Sequence, residues 1–369
     1  MMAGESPAGD GAKSRATTAS GEGAGSPDGG GVPAAGTDGA SASAAGKVGW
    51  LRRAAVRQWR LGVATAVTVA AVAMMATCHF GQRTVGREMV LCDRGEFRLP
   101  SMDACRPLLD CSELAELEIM EQIGQGSTKS VYRSVWRGQH EVAVATLAEP
   151  ALRDDFVHGL RMLRALSPSE HVVQLVGHCG DVIVTEFHRR GDAAAAAAEE
   201  ARAAGAGRAL ALCRSYAAAL AFLHESPAGR RVMCDSNELS KTLEQWLVAD
   251  DGRLVVADLD ALPDASAGPV LCGRRRIEGA FLAPEQRWRQ GREPLGYDEK
   301  TDVWKLAAVC EHFLSAARDG EYLRLELHAI HRRCRSVPAR LRPSAAEVVA
   351  EYDRVLQELD VEEYVSMTP

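Results

Sequence analysis

Residues 123–147 read "IGQGSTKSVYRSVWRGQHEVAVATL", a glycine-rich turn followed by two runs rich in β-branched residues. The runs "SVYRSVW" and "HEVAVATL" predict two strands, because β-branched and aromatic side chains fit a pleated surface. Gly124 and Gly126 lack a Cβ, so the backbone N–H groups of the turn can approach a phosphate closely. A lone Gly-x-Gly also fits an ordinary hairpin turn, and the rest of the chain has to decide between these interpretations.

Strand and helix patterns continue downstream of the turn. "HVVQLVGH" and "DVIVTEF" predict strands, and "DDFVHGLRMLRAL" predicts a helix that places Phe156, Leu160 and Leu163 on one face. An alanine-rich linker, "GDAAAAAAEEARAAGAGR", precedes a long apolar helix, "ALALCRSYAAALAFLH", and helical segments end the chain. This order predicts an α+β fold over residues 119–369, in which a larger helical lobe follows a small β-rich lobe.

Four further motifs have the spacing of one known family. They are "LVVADLD" at residues 254–260, "APE" at 283–285, "TDVWKL" at 301–306 and "RLRPSAAEVV" at 340–349. Together with the glycine-rich turn, they resemble the bilobal protein kinases over about residues 119–359. The resemblance implies that Asp258 binds the metal ion that bridges the ATP phosphates and that Asp302 braces the catalytic-loop backbone. It also implies an ion pair between Arg342 and Glu285, which supports the fold and not the chemistry.

The catalytic loop departs from the protein-kinase pattern. Met233-Cys234-Asp235 stands where the family has His-Arg-Asp, and Gln245 stands where it has a metal-binding asparagine. The spacing between Asp235 and Gln245 is twice that of the family motif, so the loop carries an insertion. The resemblance makes Asp235 the base that accepts the proton of the attacking hydroxyl, Gln245 a weaker metal ligand and Lys241 a cation near the γ-phosphate. The stretch "CDSNEL" also fits an ordinary turn, in which Asp235 has a purely structural role.

The phosphate-binding lysine of the protein kinases is missing, because "VAVA" places Ala145 at its position. Gly159 replaces the glutamate that normally pairs with this lysine, so the loss leaves no buried charge alone. Lys129 takes the place of the third glycine of the turn and is predicted to supply the missing cation over the phosphates. Asp260 replaces the glycine of Asp-Phe-Gly, and Glu186 in "DVIVTEF" is a further candidate for the nucleotide site. The chain is therefore predicted to be a rewired active kinase that uses ATP with Mg²⁺ or Mn²⁺.

The N-terminal part of the chain has a different composition. Residues 1–60 predict a disordered cytoplasmic tail, because 1–46 contain no aromatic residue, leucine or isoleucine, and 47–60 carry five basic residues and no acidic one. Residues 61–82 contain no charged residue and are long enough to cross a membrane. The basic flank predicts a single signal anchor with a cytoplasmic N terminus. The alternatives are a buried soluble helix and a cleaved signal peptide, and the distance from the N terminus disfavours the second.

Ten cysteines support the placement of the remainder in an oxidising lumen, where several of them would pair. Three of them crowd the predicted lumenal segment, residues 83–118, whose stretch "CSELAELEIMEQ" is acidic and helix-prone: Cys92, Cys105 and Cys111. Cys234 replaces the arginine of His-Arg-Asp, and Cys272 lies in the predicted activation segment. A disulfide between these two would tie the segment to the catalytic loop, whereas two ordinary buried thiols are the alternative.

The partners of the chain are indicated by its charge and by a narrower resemblance. The net charge of −7 argues against nucleic acid. The stretches "FVHGLRMLRAL", "VMCDSNELSKTLEQWL", "FLAPEQRW" and "YDEKTDVWK" resemble the protein O-mannose kinase family. This resemblance implies a single-pass type II protein of the endoplasmic reticulum membrane that phosphorylates the 6-hydroxyl of O-linked mannose in a GalNAc–GlcNAc–mannose trisaccharide on α-dystroglycan. The alternatives are an inactive pseudokinase that serves as a lumenal binding module, and an orthodox protein kinase, which the missing His-Arg pair disfavours.

Overall fold

The computed structural model describes residues 91–234, 236–272, 277–288, 291–292 and 294–366. The strands are β1 Glu96–Phe97, β2 Arg106–Pro107, β3 Glu118–Gln125, β4 Lys129–Trp136, β5 His140–Leu147, β6 Leu175–Cys179, β7 Val182–Glu186, β8 Trp246–Val248 and β9 Leu254–Val256. The helices are α1 Cys111–Leu114, α2 Arg153–Leu166, α3 Ala193–Ala204, α4 Ala206–His224, α5 Leu239–Glu244, α6 Lys300–Ala316, α7 Gly320–Glu326, α8 His328–Cys334 and α9 Ala345–Ser366. Four predicted features lie outside the described residues: the tail (1–60), the anchor (61–82), the first part of the lumenal segment (83–90) and the candidate base Asp235.

The small lobe is built on a five-stranded antiparallel sheet with the strand order β3-β4-β5-β7-β6. Side chains alternate across a strand, and the sheet turns Trp136, Val142 and Val144 into its core. Helix α2 follows β5 and buries Phe156 and Leu163, the face predicted from the sequence. The predicted β-rich small lobe with one helix is therefore confirmed.

The Cys-bearing segment packs directly onto this sheet. Phe97 is fully buried in the same core as Trp136, and the Leu109 N–H donates to the Val176 carbonyl oxygen over 2.9 Å. Gly177 allows this approach, since a Cβ at that position would lie 2.7 Å from the Cβ of Leu109. The segment thus completes the hydrophobic core of the small lobe.

The prediction of a helix-prone stretch after Cys111 is only partly right. The carboxylate of Asp110 caps α1 by accepting hydrogen bonds from two N–H groups of its first turn, and α1 ends at Leu114. Strand β3 then begins at Glu118, which pairs with Val135 of β4. Sheet pairing overrides the local helix propensity here, because an isolated helix of this length is marginal and each strand residue gains ladder contacts.

The alanine-rich stretch that the sequence suggested as a linker is helix α3. Asp192 caps this helix by accepting a hydrogen bond from the Ala195 N–H over 2.9 Å. Ala193, Ala197 and Ala201 are fully buried, and their four-residue spacing places them on one face. Alanine is the strongest helix former, so a run that resembles a low-complexity linker forms a helix with a narrow buried face.

Helix α4 lies at the centre of the helical lobe. Among the described residues it is the one helix long and apolar enough to cross a membrane, yet 56% of its apolar window is buried inside the protein. Its Cys213 is joined by a disulfide to Cys310 of α6. The apolar character of α4 therefore serves the core of this lobe, and the anchor expected at residues 61–82 remains a prediction.

Four disulfides join described residues in both lobes. They are Cys92–Cys105, Cys111–Cys179, Cys213–Cys310 and Cys234–Cys272. Cys334 is free and buried, and burial raises the pKa of its thiol to about 12, so it is not reactive at neutral pH. Disulfides at this density are typical of proteins that fold in an oxidising compartment.

Candidate active site

Helix α6 braces the catalytic loop through Asp302, as the sequence predicted. The carboxylate of Asp302 is buried, and its Oδ2 accepts a hydrogen bond from the Met233 N–H over 3.2 Å. The same oxygen lies 3.2 Å from His224 Nε2 at the end of α4, so the brace joins two helices to the loop. The sequence analysis missed His224, although a histidine that ends a long apolar helix was an available signal.

Lys305 makes a second contact with the loop that the sequence analysis also missed. It follows Asp302 by one helical turn, is 1% exposed, and donates a hydrogen bond to Ser236 Oγ. Ser236 Oγ donates in turn to the carbonyl oxygen of Met233 over 3.0 Å. A lysine within an apolar helix is rarely buried unless it is paired, and "TDVWKL" carried that signal. The chain is therefore fixed on both sides of Asp235.

The end of the activation segment is held by the predicted ion pair between Arg342 and Glu285. The pair is bidentate, with Nη2 2.8 Å from Oε2 and Nη1 2.5 Å from Oε1. The Arg342 side chain is fully buried, donates to the Lys300 carbonyl oxygen over 2.8 Å, and lies 4.9 Å from the centre of the Trp304 ring. Arginine suits this position because its planar guanidinium donates in several directions at once.

Lys129, the candidate phosphate cation, is the first residue of β4 and not part of the loop before it. The Gly126 N–H donates to the Lys129 carbonyl oxygen over 2.9 Å and so closes the turn. Ala145 of β5 pairs with Val131, two residues further along β4. Because residues two apart on a strand share a face, Lys129 and Ala145 are diagonal neighbours on one face of the sheet. A lysine at position 129 can therefore serve the region that a lysine at position 145 would serve.

Two carboxylates meet the ammonium group of Lys129. Its Nζ lies 3.1 Å from Asp258 Oδ1 and 3.1 Å from Asp260 Oδ1. Burial by itself would lower the pKa of Lys129, but Asp258 and Asp260 raise it above its ordinary value. Burial opposes ionisation of Asp258 too, and Lys129 outweighs it, so the pKa of Asp258 lies below its ordinary value. Asp258 is therefore ionised at neutral pH, as a metal ligand has to be.

The two carboxylates differ in their access to solvent. The Asp258 side chain is 37% exposed, whereas that of Asp260 is 9% exposed. Burial raises the pKa of Asp260 to about 6, and the charge of Asp258 adds to the shift while Lys129 opposes it. The sequence analysis treated Asp260 only as a replaced glycine and missed its contact with Lys129.

Gln245, the candidate second metal ligand, lies beside Asp258. Its backbone carbonyl oxygen accepts hydrogen bonds from the N–H groups of Ala257 (2.9 Å) and Asp258 (3.3 Å), and its side chain is buried. Its Nε2 donates to the Lys241 carbonyl oxygen over 3.4 Å, which engages the amide nitrogen and not the oxygen that binds metals. Lys241 is exposed on α5, and its charge adds to the effect of Lys129 on the pKa of Asp258.

The two glycines of the turn leave space that the fold does not use. A Cβ at Gly124 would lie 3.6 Å from the Cβ of Val131, and one at Gly126 would lie 3.6 Å from the Lys129 carbonyl oxygen. Both are ordinary contacts, and neither glycine has a left-handed backbone. The bare backbone fits the close approach of a phosphate, and the oxygens of Asp258 and Gln245 are of the kind that a divalent ion prefers.

Glu186, the further candidate for the nucleotide site, uses its carboxylate within the small lobe. Its Oε1 accepts a hydrogen bond from the Gln174 N–H over 2.8 Å and lies 3.4 Å from His188 Nε2. Burial raises the pKa of Glu186, but the contacts with His188 and Gln174 hold it below its ordinary value. Gln174 also exchanges two hydrogen bonds with the backbone of Arg98, at 2.8 and 3.0 Å. The Glu186 side chain therefore links the chain before β6 to His188 after β7.

A disulfide joins Cys234 of the catalytic loop to Cys272 of the activation segment, with Cα atoms 5.2 Å apart. Of the two alternatives left open by the sequence, pairing is the one observed. The Tyr297 hydroxyl accepts a hydrogen bond from the Cys272 N–H over 2.8 Å. In the enlarged loop, Asn237 Nδ2 donates to the Glu278 carbonyl oxygen over 2.7 Å. Loop and segment are thus joined by covalent and non-covalent contacts.

Similarity to known proteins agrees with these features. Residues 117–345 match the protein tyrosine and serine/threonine kinase family. The chain is 38% identical over 300 residues to the protein O-mannose kinase of Gallus gallus, which covers 76% of this chain and 84% of that protein. It is 37% identical over 286 residues to the protein O-mannose kinase of Homo sapiens, with coverages of 73% and 81%. It is 38% identical over 299 residues to that of Xenopus laevis, with coverages of 76% and 84%.

Proposed function

Because the chain belongs to the protein O-mannose kinase family, we propose that it transfers the γ-phosphoryl group of ATP to the 6-hydroxyl of an O-linked mannose. Family membership makes the chain a phosphotransferase that acts on a hydroxyl group, and the proposal concerns which hydroxyl. The full acceptor is a GalNAc–GlcNAc–mannose trisaccharide on α-dystroglycan. The observation that carries the proposal is the contact of Lys129 with Asp258 beside the glycine-rich turn, since it retains the charges that phosphoryl transfer needs.

The nucleotide is assigned to the glycine-rich turn, and its metal ion to Asp258 and Gln245. The bare backbone of Gly124 and Gly126 gives the phosphates room to approach the turn, and Glu186, at the end of β7, lies beside the nucleotide. Asp258 and Gln245 would hold Mg²⁺ or Mn²⁺, which would neutralise the charge of the phosphates.

Two cations and one base complete the proposed machinery. Lys129 places its ammonium group at the transferred phosphoryl group, where charge must be stabilised, and Lys241 adds a second cation from the enlarged loop. Asp235 accepts the proton of the mannose hydroxyl as its oxygen engages phosphorus.

A glycan acceptor is supported by the enlarged catalytic loop. Asn237 of this loop accepts a hydrogen bond from the Phe281 N–H over 3.0 Å in addition to its contact with Glu278. The loop therefore covers part of the activation segment, the region on which protein kinases bind their peptide substrates. We assign this altered surface to the trisaccharide.

The proposed location is the endoplasmic reticulum membrane, with a single-pass type II anchor at residues 61–82 and a lumenal catalytic domain. The four disulfides support an oxidising compartment. The basic flank of the predicted anchor supports the orientation.

The test is transfer to a synthetic acceptor by the detergent-solubilised full chain. ATP, Mg²⁺ and the O-mannosyl trisaccharide should yield a product heavier by one phosphate group in mass spectrometry. The matched control is a trisaccharide with 6-deoxymannose, which should give no product because the attacking hydroxyl is absent. Equal phosphorylation of both trisaccharides would show that another hydroxyl reacts. Phosphorylation of neither would contradict the proposed acceptor.

A further inference from the structure

Two departures from the protein-kinase pattern lie in contact with each other. A Cβ built on Gly159 of α2 would lie 2.0 Å from Asp260 Oδ1 and 3.2 Å from its Cγ. Any residue larger than glycine at position 159 therefore displaces the Asp260 side chain. The backbone of Gly159 is ordinary helix, and glycine is the least favourable helix residue after proline. The glycine at position 159 thus leaves room for the Asp260 side chain, although it weakens the helix.

The Asp260 side chain is directed at Lys129. Its Oδ1, the atom that needs the space above Gly159, is also the atom 3.1 Å from Lys129 Nζ. Asp260 Oδ2 is buried and has no hydrogen-bond partner within the part of the chain that the structure describes. The backbone N–H of Asp260 donates to Asp258 Oδ1 over 3.3 Å, which orders the two carboxylates relative to each other.

From these contacts we infer that Asp260 is a positioning residue that holds the Lys129 ammonium at the phosphate end of the cleft. It does so in place of the carboxylate that the helix lacks at Gly159, and Gly159 is glycine to make room for it. The inference rests on the proposed phosphoryl transfer. A carboxylate fixed to the segment after β9 and a lysine on β4 thus form the ion pair that protein kinases form between a strand and the helix.

The different exposure of Asp258 and Asp260 indicates that they have different roles. Lys129 is shared between Asp258, which is 37% exposed, and Asp260, which is 9% exposed. If Asp258 bound a metal ion, Asp260 would remain as the partner of the Lys129 ammonium. Without Asp260, Lys129 would compete with the metal ion for Asp258, because a buried charge that loses its partner is strongly destabilised.

The first test removes the charge of Asp260 and keeps its shape. In the full chain, Asp260→Asn should raise the KM for ATP about tenfold and lower kcat about 10²-fold, the usual effect of losing one preorganised charged group. The matched control is Asp250→Asn in an exposed turn, which should change neither constant. Equal KM and kcat for Asp260→Asn and the control would overturn the inference.

The second test restores the protein-kinase arrangement. Asp260→Gly and Gly159→Glu should each lower kcat about 10²-fold, the first by losing the carboxylate and the second by displacing it. The double variant Gly159→Glu/Asp260→Gly returns a carboxylate from the helix and should regain at least tenfold over either single variant. The inference would be overturned if the kcat of the double variant did not exceed that of both single variants.

A third measurement does not depend on activity. In the Asp260→Gly background, Gly159→Ala should raise the folding equilibrium constant about fivefold, because alanine is the better helix residue once the space is free. In the wild-type background the same substitution should lower it, because Asp260 fills that space. The same sign in both backgrounds would contradict the spatial coupling.

Nucleotide affinity separates this inference from the proposed function. A non-hydrolysable ATP analogue with Mg²⁺ is titrated into the wild type, the two single variants and the double variant by calorimetry. Loss of affinity in both singles and recovery in the double supports the inference even if the wild type fails to phosphorylate the trisaccharide. Equal affinity of all four proteins would overturn it even if the wild type phosphorylates the trisaccharide.

Discussion

The two lobes hold their charged residues in different ways. In the helical lobe, Asp302 and the Arg342–Glu285 pair stand where protein kinases have them, and each is bonded to backbone groups of distant segments. In the small lobe, the proposed phosphate cation is Lys129 of β4, and Asp260 is the more buried of its two carboxylate partners. A charge that fixes backbone groups cannot move without the backbone. A charge that has only to reach a phosphate can be supplied by any element whose side chain reaches it.

The largest effect is expected at the two proposed catalytic carboxylates. Asp235→Asn should lower transfer about 10³- to 10⁴-fold and leave ATP binding intact, because it removes only the proton acceptor. Asp258→Asn should instead weaken Mg²⁺-dependent ATP binding, because it removes a metal ligand. Single-turnover kinetics and calorimetric ATP titration distinguish the two. Identical behaviour of both variants would contradict the separate roles.

A stability measurement tests whether the charges of the helical lobe hold the fold together. Glu285→Gln should lower the free energy of unfolding by about 3 kcal/mol, because it leaves the fully buried Arg342 guanidinium without a counter-charge. The matched control is Glu351→Gln on α9, whose pair with Arg354 lies at the surface and contributes little to stability. Urea denaturation without reductant measures both. Equal urea midpoints for the two variants would show that the Arg342–Glu285 pair does not stabilise the fold.

An activity measurement tests the small-lobe side. Lys129→Ala should lower kcat about 10²- to 10³-fold, because it removes the proposed phosphate cation of this lobe. Lys241→Ala, which removes a lysine exposed on α5, is the matched comparison and should have a smaller effect. If Lys241→Ala proves the more damaging substitution, the cation that matters comes from the helical lobe and the contrast between the lobes fails.

The smallest effect concerns the acid sensitivity of the helical lobe. Burial lowers the pKa of His331 from its ordinary 6.5 to about 4, and its Nε2 lies 2.7 Å from the Tyr352 hydroxyl. Between these two values the unfolded chain binds a proton that the folded chain does not, so stability falls as the pH falls through this window. We expect a loss of about 2 kcal/mol between pH 7 and pH 5 that His331→Gln abolishes. Urea denaturation at both pH values measures it, and parallel losses in the two proteins would assign the sensitivity to other groups.

Sequence analysis predicted the helical-lobe brace more completely than the cation cluster, and the reason is physical. Asp302 and Arg342 belong to short motifs whose residue types and spacing specify their contacts. The contact of Asp260 with Gly159 joins residues about one hundred positions apart and depends on how α2 packs, which no local pattern encodes. The same limit explains α3, because only its neighbours show that the alanine run has a buried face.

The disulfide between Cys234 and Cys272 determines when the activation segment becomes ordered. A bond of this kind forms once, during the maturation of the chain, and an oxidising compartment does not reverse it. The disulfide therefore orders the activation segment once and irreversibly, whereas phosphorylation orders such a segment and its removal releases it again. We therefore expect the output of a population of these molecules to depend on the number of matured chains and on the supply of acceptor, and not on reversible phosphorylation of this segment.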